Sequence, residues 1–274
     1  GRTATALILL TCYLKFSKQI IILKTHYPFL TFTRVICFFF GFSFFYISLS
    51  FMALAEANAL FFSSPFFVSI LATIFLGEKV GIRRWSAIFV GFIGVYIVLN
   101  PNFNNFNYMK LAPVFCALCY SISMTITKIT SDKDNVYTQM IHLYIAALII
   151  SILFFIFTGK GQFNNFSDPT FQFIFREWGT NSSFSVPFII AMGTVATFSF
   201  YFVFNAYSIA SPSVVSLYEY SLIIWSILTG YILFNNIPTL RTFIGVSLII
   251  SAGIYIYIRE KTKDQMIATD TPNR

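Results

Sequence analysis

One hydrophobic block occurs twice in this chain, with its charges kept in one copy and removed from the other. Residues 76–99 read LGEKVGIRRWSAIFVGFIGVYIVL and residues 234–257 read FNNIPTLRTFIGVSLIISAGIYIY. The link in the first copy carries Glu78, Lys79, Arg83 and Arg84, whereas the second keeps only Arg241. Short cytoplasmic loops retain Lys and Arg while loops on the opposite side lose them, so segments charged this unequally are expected on opposite faces of a membrane. Inverted repeats of this kind are a common architecture of secondary transporters, whose substrate site lies near the midplane where the repeats meet.

The composition agrees with a lipid environment. Apolar residues make up 57% of the chain and charged residues only 10%, more apolar surface than a soluble core can hide. The net charge of +8 forms no basic face; the charges sit in links between apolar stretches, so they read as topology signals and not as a nucleic-acid surface. Cys12, Cys37, Cys116 and Cys119 all fall inside apolar runs, where they are expected as buried small hydrophobes with no disulfide framework.

Apolar runs long enough for a hydrocarbon core of about 30 Å cover residues 29–54, 58–76, 85–99, 111–127, 140–157, 184–207, 214–234 and 240–258. A ninth, 3–14, is short, and the chain starts at Gly1, so one further helix is expected before it. Placing residues 15–28 in the cytoplasm puts most basic residues inside, including Arg259, Lys261, Lys263 and Arg274 of the tail, and leaves Arg2, Lys110, Lys160, Arg176 and Arg241 outside. The expected fold class is an all-α polytopic membrane protein, a ten-helix inverted repeat of five plus five with about nine helices present. Residues 1–104 form the first repeat, 105–260 the second, and 261–274 a disordered tail.

The repeat extends upstream. Residues 46–65 (YISLSFMALAEANALFFSSP) align with 201–220 (YFVFNAYSIASPSVVSLYEY), pairing Tyr46 with Tyr201 and Ala55 with Ala210; later, Trp85 pairs with Phe243 and Glu78 with Asn236. The stretch ALAEANALFFSSPFFVSILATIFLGEKVGIRRWSAIFVGFIGVYIVLNP, residues 53–101, resembles the EamA-type permeases of the drug/metabolite transporter superfamily, whose halves carry small-x-A-x-A, P, LGE, G and G in this order. Residues 211–260 are similar in the same way. The resemblance implies ten helices, cytoplasmic termini and movement of small metabolites, and lies nearest a branch that includes S-adenosylmethionine and riboflavin permeases. Asn235 and Asn236 replace the acid usual before the last family helix.

Glu219 is the sharpest candidate for binding a cation or a proton. It is read about two turns inside its helix, where an ionised carboxylate costs several kcal/mol unless paired or hydrated. Ser216, Ser226 and Gly230 continue its stripe, and the alternative is a structural carboxylate bonded to Tyr218, Tyr220 or backbone. Pro65, after Ser63 and Ser64, is read inside a helix, freeing the Phe61 carbonyl; such a kink serves as a gate or substrate site, or is merely tolerated. Ser121, Thr125 and Lys128 form one polar seam, Tyr201, Asn205 and Ser208 a second, and Tyr46 and Ser50 hold the equivalent places in the first repeat. Their alternative role is interhelical hydrogen bonding, worth about 0.6 kcal/mol. Lys128 is expected to snorkel to the interface, Arg34 to anchor headgroups, Glu56 to cap a helix, and Trp225 to stack a planar ligand or pack. Ala87 with Gly91, and Ser247 with Ser251, are expected in close helix packing.

The functional expectation is a secondary transporter of a small metabolite, an amino-acid, nucleoside or vitamin-like solute, in a bacterial inner membrane with its C-terminus cytoplasmic. Its partners would be that solute, membrane lipids and a second copy in a homodimer, with no nucleic acid. No cofactor or metal is expected beyond coupling to a proton or counter-solute. A lipid or amphiphile flippase and a non-transporting scaffold are the alternatives. Catalysis has little to stand on: Cys116 and Cys119 lack a second ligand pair, and His142 lacks a motif-defined nucleophile. The sequons at Asn165 and Asn181 sit in an Asn- and Ser-rich link whose aromatics suit an interfacial segment.

Overall fold

A computed structural model describes residues 1–18, 22–77, 81–99, 108–163, 169–178, 185–219, 221–235 and 239–261. Glu78, Lys79, both sequons, Tyr220, Asn236 and the tail from residue 262 onward therefore lie outside the described residues. Among the described residues the chain forms twelve α-helices, and each of the nine apolar runs is helical, as an all-α polytopic fold requires. Among the described residues five stretches are long and apolar enough to cross a membrane: Pro28–Ser48, Leu54–Leu76, Tyr108–Thr130, Val136–Thr158 and Val186–Ile209.

Two of the nine runs are broken. The run 58–76 becomes α3 (Leu54–Phe61) and α4 (Ser64–Leu76), and the run 214–234 becomes α10 (Pro212–Tyr218) and α11 (Ser221–Phe234). The first break follows from Pro65, which has no N–H to offer the Phe61 carbonyl. The chain turns at Phe62 and Ser63, with the Ser63 hydroxyl donating to the Leu60 carbonyl at 2.8 Å. Pro65 thus falls in the first turn of a new helix, where its missing N–H is harmless, and not inside a continuous one. The second break falls at Glu219, whose N–H reaches the Ser216 carbonyl at 3.3 Å and whose carbonyl accepts from Leu222 N–H at 2.9 Å. Glu219 is therefore at a junction between helices, not two turns within one. The far ends match as well: α4 stops on Gly77 (φ 69°) and α11 on Asn235 (φ 53°), each in the left-handed conformation that Gly and Asn adopt most readily.

The chain groups into two compact units. One contains residues 1–39 and 126–209, the other residues 40–125 and 210–270, so each takes helices from both sequence repeats. In the first unit α1 (Arg2–Phe16) packs on α7 (Val136–Thr158) and α9 (Ser185–Ile209), burying Leu10, Leu14, Met140, Ile141 and Phe204. The short α8 (Pro169–Phe175) and Trp178 fold back on the end of α7: Trp178 N–H donates to the Gly159 carbonyl, and its ring lies 5.5 Å from that of Phe155.

In the second unit α5 (Ile82–Leu99) and α12 (Leu240–Lys261) form the most extensive pair. Gly94 and Gly245 make that approach possible. A Cβ on Gly94 would stand 2.7 Å from the Gly245 carbonyl oxygen, and one on Gly245 would stand 2.7 Å from that of Gly94. Ala87 and Ala252 are buried in the same cluster with Phe62, Phe66 and Ile249. Gly91 does pack closely, against the Phe66 ring. Ser247 and Ser251 are exposed in the single chain and bond back to their own helix, at the Phe243 and Ser247 carbonyls, so no packing within the monomer involves them closely. Cys116 and Cys119 are buried, whereas Cys12 is exposed.

Candidate functional site

The second unit assembles a polar cluster around the two helix breaks. From α6 (Ala112–Thr130), the Tyr120 hydroxyl donates to Glu219 Oε1 at 2.5 Å. The Tyr120 ring is only 6% exposed and is held edge-on by Phe42 of α2 (Pro28–Ser48) and Phe61 of α3, at 6.3 and 5.4 Å between centroids. A hydrogen bond to an ionised group is the strong kind, and this one compensates a carboxylate set among apolar residues. Ser216 and Ser226 are buried on the flanking helices.

One residue further along α6, the Ser121 hydroxyl lies 3.0 Å from the Ser64 carbonyl and 2.6 Å from the Ala117 carbonyl. Ser64 itself is fully buried at the start of α4, and its Oγ has no hydrogen-bond partner. The same holds for Thr125 Oγ1, 2% exposed and one turn beyond Ser121. Buried hydroxyls are nearly always satisfied, so orphaned ones beside a helix break call for an explanation such as a bound solute or water. Ser50 bonds its own helix end at the Ile47 carbonyl. Tyr46, Tyr218 and Trp225 are exposed at 41%, 57% and 64%.

The other candidates belong to the first unit. Tyr201 stacks on Tyr137 at 5.6 Å with 13° between planes, and Tyr13 completes the group at 6.1 Å from Tyr137. Ser208 donates to the Asn205 carbonyl, closing that seam on its own helix. Lys128, in the last turn of α6, donates its Nζ to the Ser208 and Ile209 carbonyls, both at 3.1 Å. A cation there satisfies the last carbonyls of α9 and suits the negative end of its dipole.

Arg34 is the clearest departure from expectation. It anchors no headgroup: it is fully buried, with Nη1 donating to Gln139 Oε1, Nη2 to the Gln139 carbonyl at 3.3 Å, and its guanidinium 5.9 Å from the Phe204 ring centre. Gln139 is positioned in turn by its amide, which donates to the Asp134 carbonyl at 3.1 Å. Asp134 takes hydrogen bonds from the Thr25 hydroxyl and the His26 N–H and pairs with the His26 imidazole at 3.1 Å. Burial raises its pKa, but those hydrogen bonds outweigh burial and leave the carboxyl below its ordinary 3.8. Nearby, a hydrogen bond to Asp132 raises the Tyr27 hydroxyl above its usual value.

Sequence reasoning missed Tyr120, Tyr137, Gln139 and Asp134. Tyr120 adjoins Ser121, but a seam drawn at helical spacing through Ser121 and Thr125 passes a third of a turn away from it. Arg34 is a lone charge in the apolar run 29–54, and that rarity was the available signal, whereas Gln139 sits among polar residues just before the run 140–157 and carried none.

Glu56 lies in the first turn of α3, which has no side-chain cap hydrogen bond. Glu56 lines a cavity of about 490 Å³ together with Lys110 and Arg241.

These features define a multi-pass integral membrane protein of all-α architecture with broken helices at polar positions. The profile of the EamA-like transporter family matches residues 1–100 and 109–258, and the chain belongs to that family. It is 27% identical over 239 residues to an S-adenosylmethionine uptake transporter of Rickettsia conorii, covering 87% of this chain and 75% of the relative. It is 28% identical over 243 residues to a riboflavin transporter of Rhizobium johnstonii, covering 89% and 74%. A crystal structure with 13% identity superposes with a TM-score of 0.65 over 96% of this chain and 88% of its own, a likeness of fold. The chain is thus a transporter of small metabolites and not an enzyme.

Proposed function

We propose that this chain carries a small amino-acid, nucleoside or vitamin-like solute across a bacterial inner membrane by alternating access between its two repeats. The carrying observation is the correspondence of the helix breaks. In the alignment that pairs Ala55 with Ala210, Ser64 falls opposite Glu219, and both stand at the interruption of a helix. Interrupted helices at matching positions of two repeats are the best pointer to a transporter's substrate site, because they free backbone groups and place polar side chains at depth. Glu219, Tyr120, Ser64, Ser121 and Thr125 are its binding groups, and protonation of Glu219 couples substrate release to a proton or counter-solute. The left-handed stops at Gly77 and Asn235 and the Gly94–Gly245 contact support the repeat reading.

Relatives named for S-adenosylmethionine and riboflavin favour planar, heteroaromatic solutes that also carry polar groups. The excess of Lys and Arg in the links placed inside favours a cytoplasmic C-terminus. The exposure of Tyr218 and Trp225 beside Glu219 favours a second reading, an amphiphile drawn from the bilayer. Uptake of a labelled panel of both solute types into proteoliposomes, with and without a pH gradient, tests these readings. Saturable flux of a soluble solute supports the first. Flux of lipid analogues alone replaces it with the second, and no flux overturns both.

A further inference from the structure

Away from the helix breaks, one end of the first unit carries a basic surface. The link between α1 and α2 is fixed there to the turn between α6 and α7 and to the start of α7. Thr138 Oγ1 donates to the Ile22 carbonyl at 3.0 Å, His142 Nε2 lies 2.8 Å from the Leu23 carbonyl, and the Tyr27 hydroxyl donates to Asp132 at 2.8 Å. The bonds of Thr25 and His26 to Asp134 tie down the rest and leave the Lys24 side chain exposed. Tyr13 of α1 meets Tyr137 of α7, so the last turn of α1, with Lys15, lies at this same end. Both acids here are engaged by the link itself: Asp134 pairs with His26, and Asp132 accepts from Tyr27. Lys15, Lys18, Lys24 and Lys133 are exposed, and among the described residues none of them pairs with an acid. Phe16, Ile22, Leu23 and Phe29 are exposed beside them.

We propose that this end of the first unit is a docking surface for anionic phospholipid, with the lysines on headgroup phosphates and the four exposed apolar side chains at the acyl boundary. Two observations select that partner. The lysines are complementary in charge to an anionic headgroup, and clusters of lysine flanking a membrane helix bind such surfaces. The surface is also continuous with the membrane-crossing stretches Pro28–Ser48 and Val136–Thr158, which begin at this end. A soluble anion would satisfy the lysines and leave Phe16, Ile22, Leu23 and Phe29 in water, whereas the headgroup boundary of a bilayer accommodates both kinds of side chain. Because the hydrogen bonds to Thr138, His142, Asp132 and Asp134 already hold the link, less ordering remains to be done when lipid binds. Lipid docking here is independent of what the chain transports.

The full chain, purified in a neutral detergent, is titrated with phosphatidylglycerol and with phosphatidylcholine of the same acyl chains, and bound lipid is read by native mass spectrometry. Phosphatidylglycerol is expected to bind about tenfold more tightly or better, since each lysine near an anionic headgroup contributes about fivefold. Lys18→Gln with Lys24→Gln should weaken phosphatidylglycerol by about tenfold and leave phosphatidylcholine unchanged. Lys18→Arg with Lys24→Arg should keep the wild-type preference. Removing the same charge at the far end of α7, by Lys160→Gln with Arg176→Gln, should also keep it. The arginine pair, together with the thermal midpoint of each variant in detergent, separates loss of binding from loss of fold. Equal binding of the two lipids, a preference untouched by the Lys18 and Lys24 glutamine pair, or an equal loss in the far-end pair overturns the proposal. Displacement of bound phosphatidylglycerol by inorganic phosphate overturns it as well and assigns the lysines to a soluble anion. A chain that shows this lipid preference but moves no solute would overturn the transport reading and leave the docking surface standing.

Discussion

The Tyr120 hydroxyl donates to Glu219 Oε1 at 2.5 Å, tying the middle of one membrane helix to the junction where another is interrupted. A hydrogen bond to a charged group contributes about 1.5–3 kcal/mol, enough to orient the side chain at a helix break.

Tyr120→Phe removes that donor and keeps the ring between Phe42 and Phe61. Initial transport rates in proteoliposomes should fall about tenfold or more, given the bond's expected 1.5–3 kcal/mol. Combined with Glu219→Gln, the loss should be less than additive because the two groups act as a pair. Fully additive losses would separate them.

Gln139→Leu leaves the buried Arg34 guanidinium without its main acceptor. Stranding a buried charged donor costs about 2 kcal/mol or more, which should lower the thermal midpoint in detergent by several degrees. Replacing both residues at once, Arg34→Met with Gln139→Leu, should recover much of that loss, because no buried charge remains.

Asp134 gives the first unit a specific acid sensitivity. Its folded pKa lies below the ordinary 3.8, so folding favours the ionised form. The resulting stability is fully present above the unfolded value and is lost as pH falls below about 4 through the folded value. Thermal midpoints measured from pH 7 to pH 3 should fall more steeply for wild type than for Asp134→Asn, which should already be destabilised at pH 7.

The contact between α5 and α12 tolerates no side chain at its closest point. Gly94→Val or Gly245→Val must push the helices apart against the opposing carbonyl, and overpacking of this kind costs about 1–3 kcal/mol. Ser247→Val, on the exposed face of the same helix, should be close to neutral. Thermal unfolding of the three variants side by side checks the contrast.

The membrane helices were legible because length and apolarity decide them: each of the nine runs is helical, and the unequal charges of the repeated block point by themselves to a membrane protein. Interruptions were only half legible. Pro65 announces one through its missing N–H, whereas nothing in the residues around Glu219 breaks a helix by local chemistry, and that junction depends on tertiary partners such as Tyr120. Arg34 was misread for a related reason. Near a helix start the sequence allows an interfacial anchor, and only packing reveals that Gln139 and Phe204 enclose it. Side-chain partners across sequence distances of about a hundred residues leave no local signature.

The central claim is that the carboxylate at the second helix break operates in transport. It is tested most directly by proton-gradient-driven uptake of a labelled solute into proteoliposomes, comparing wild type with Glu219→Gln at matched protein density. Saturable uptake by wild type that responds to the gradient is expected, with loss of that response in the variant and a thermal midpoint within a few degrees of wild type. Uptake of equal rate and equal gradient dependence in both proteins would contradict it and return Glu219 to a structural role.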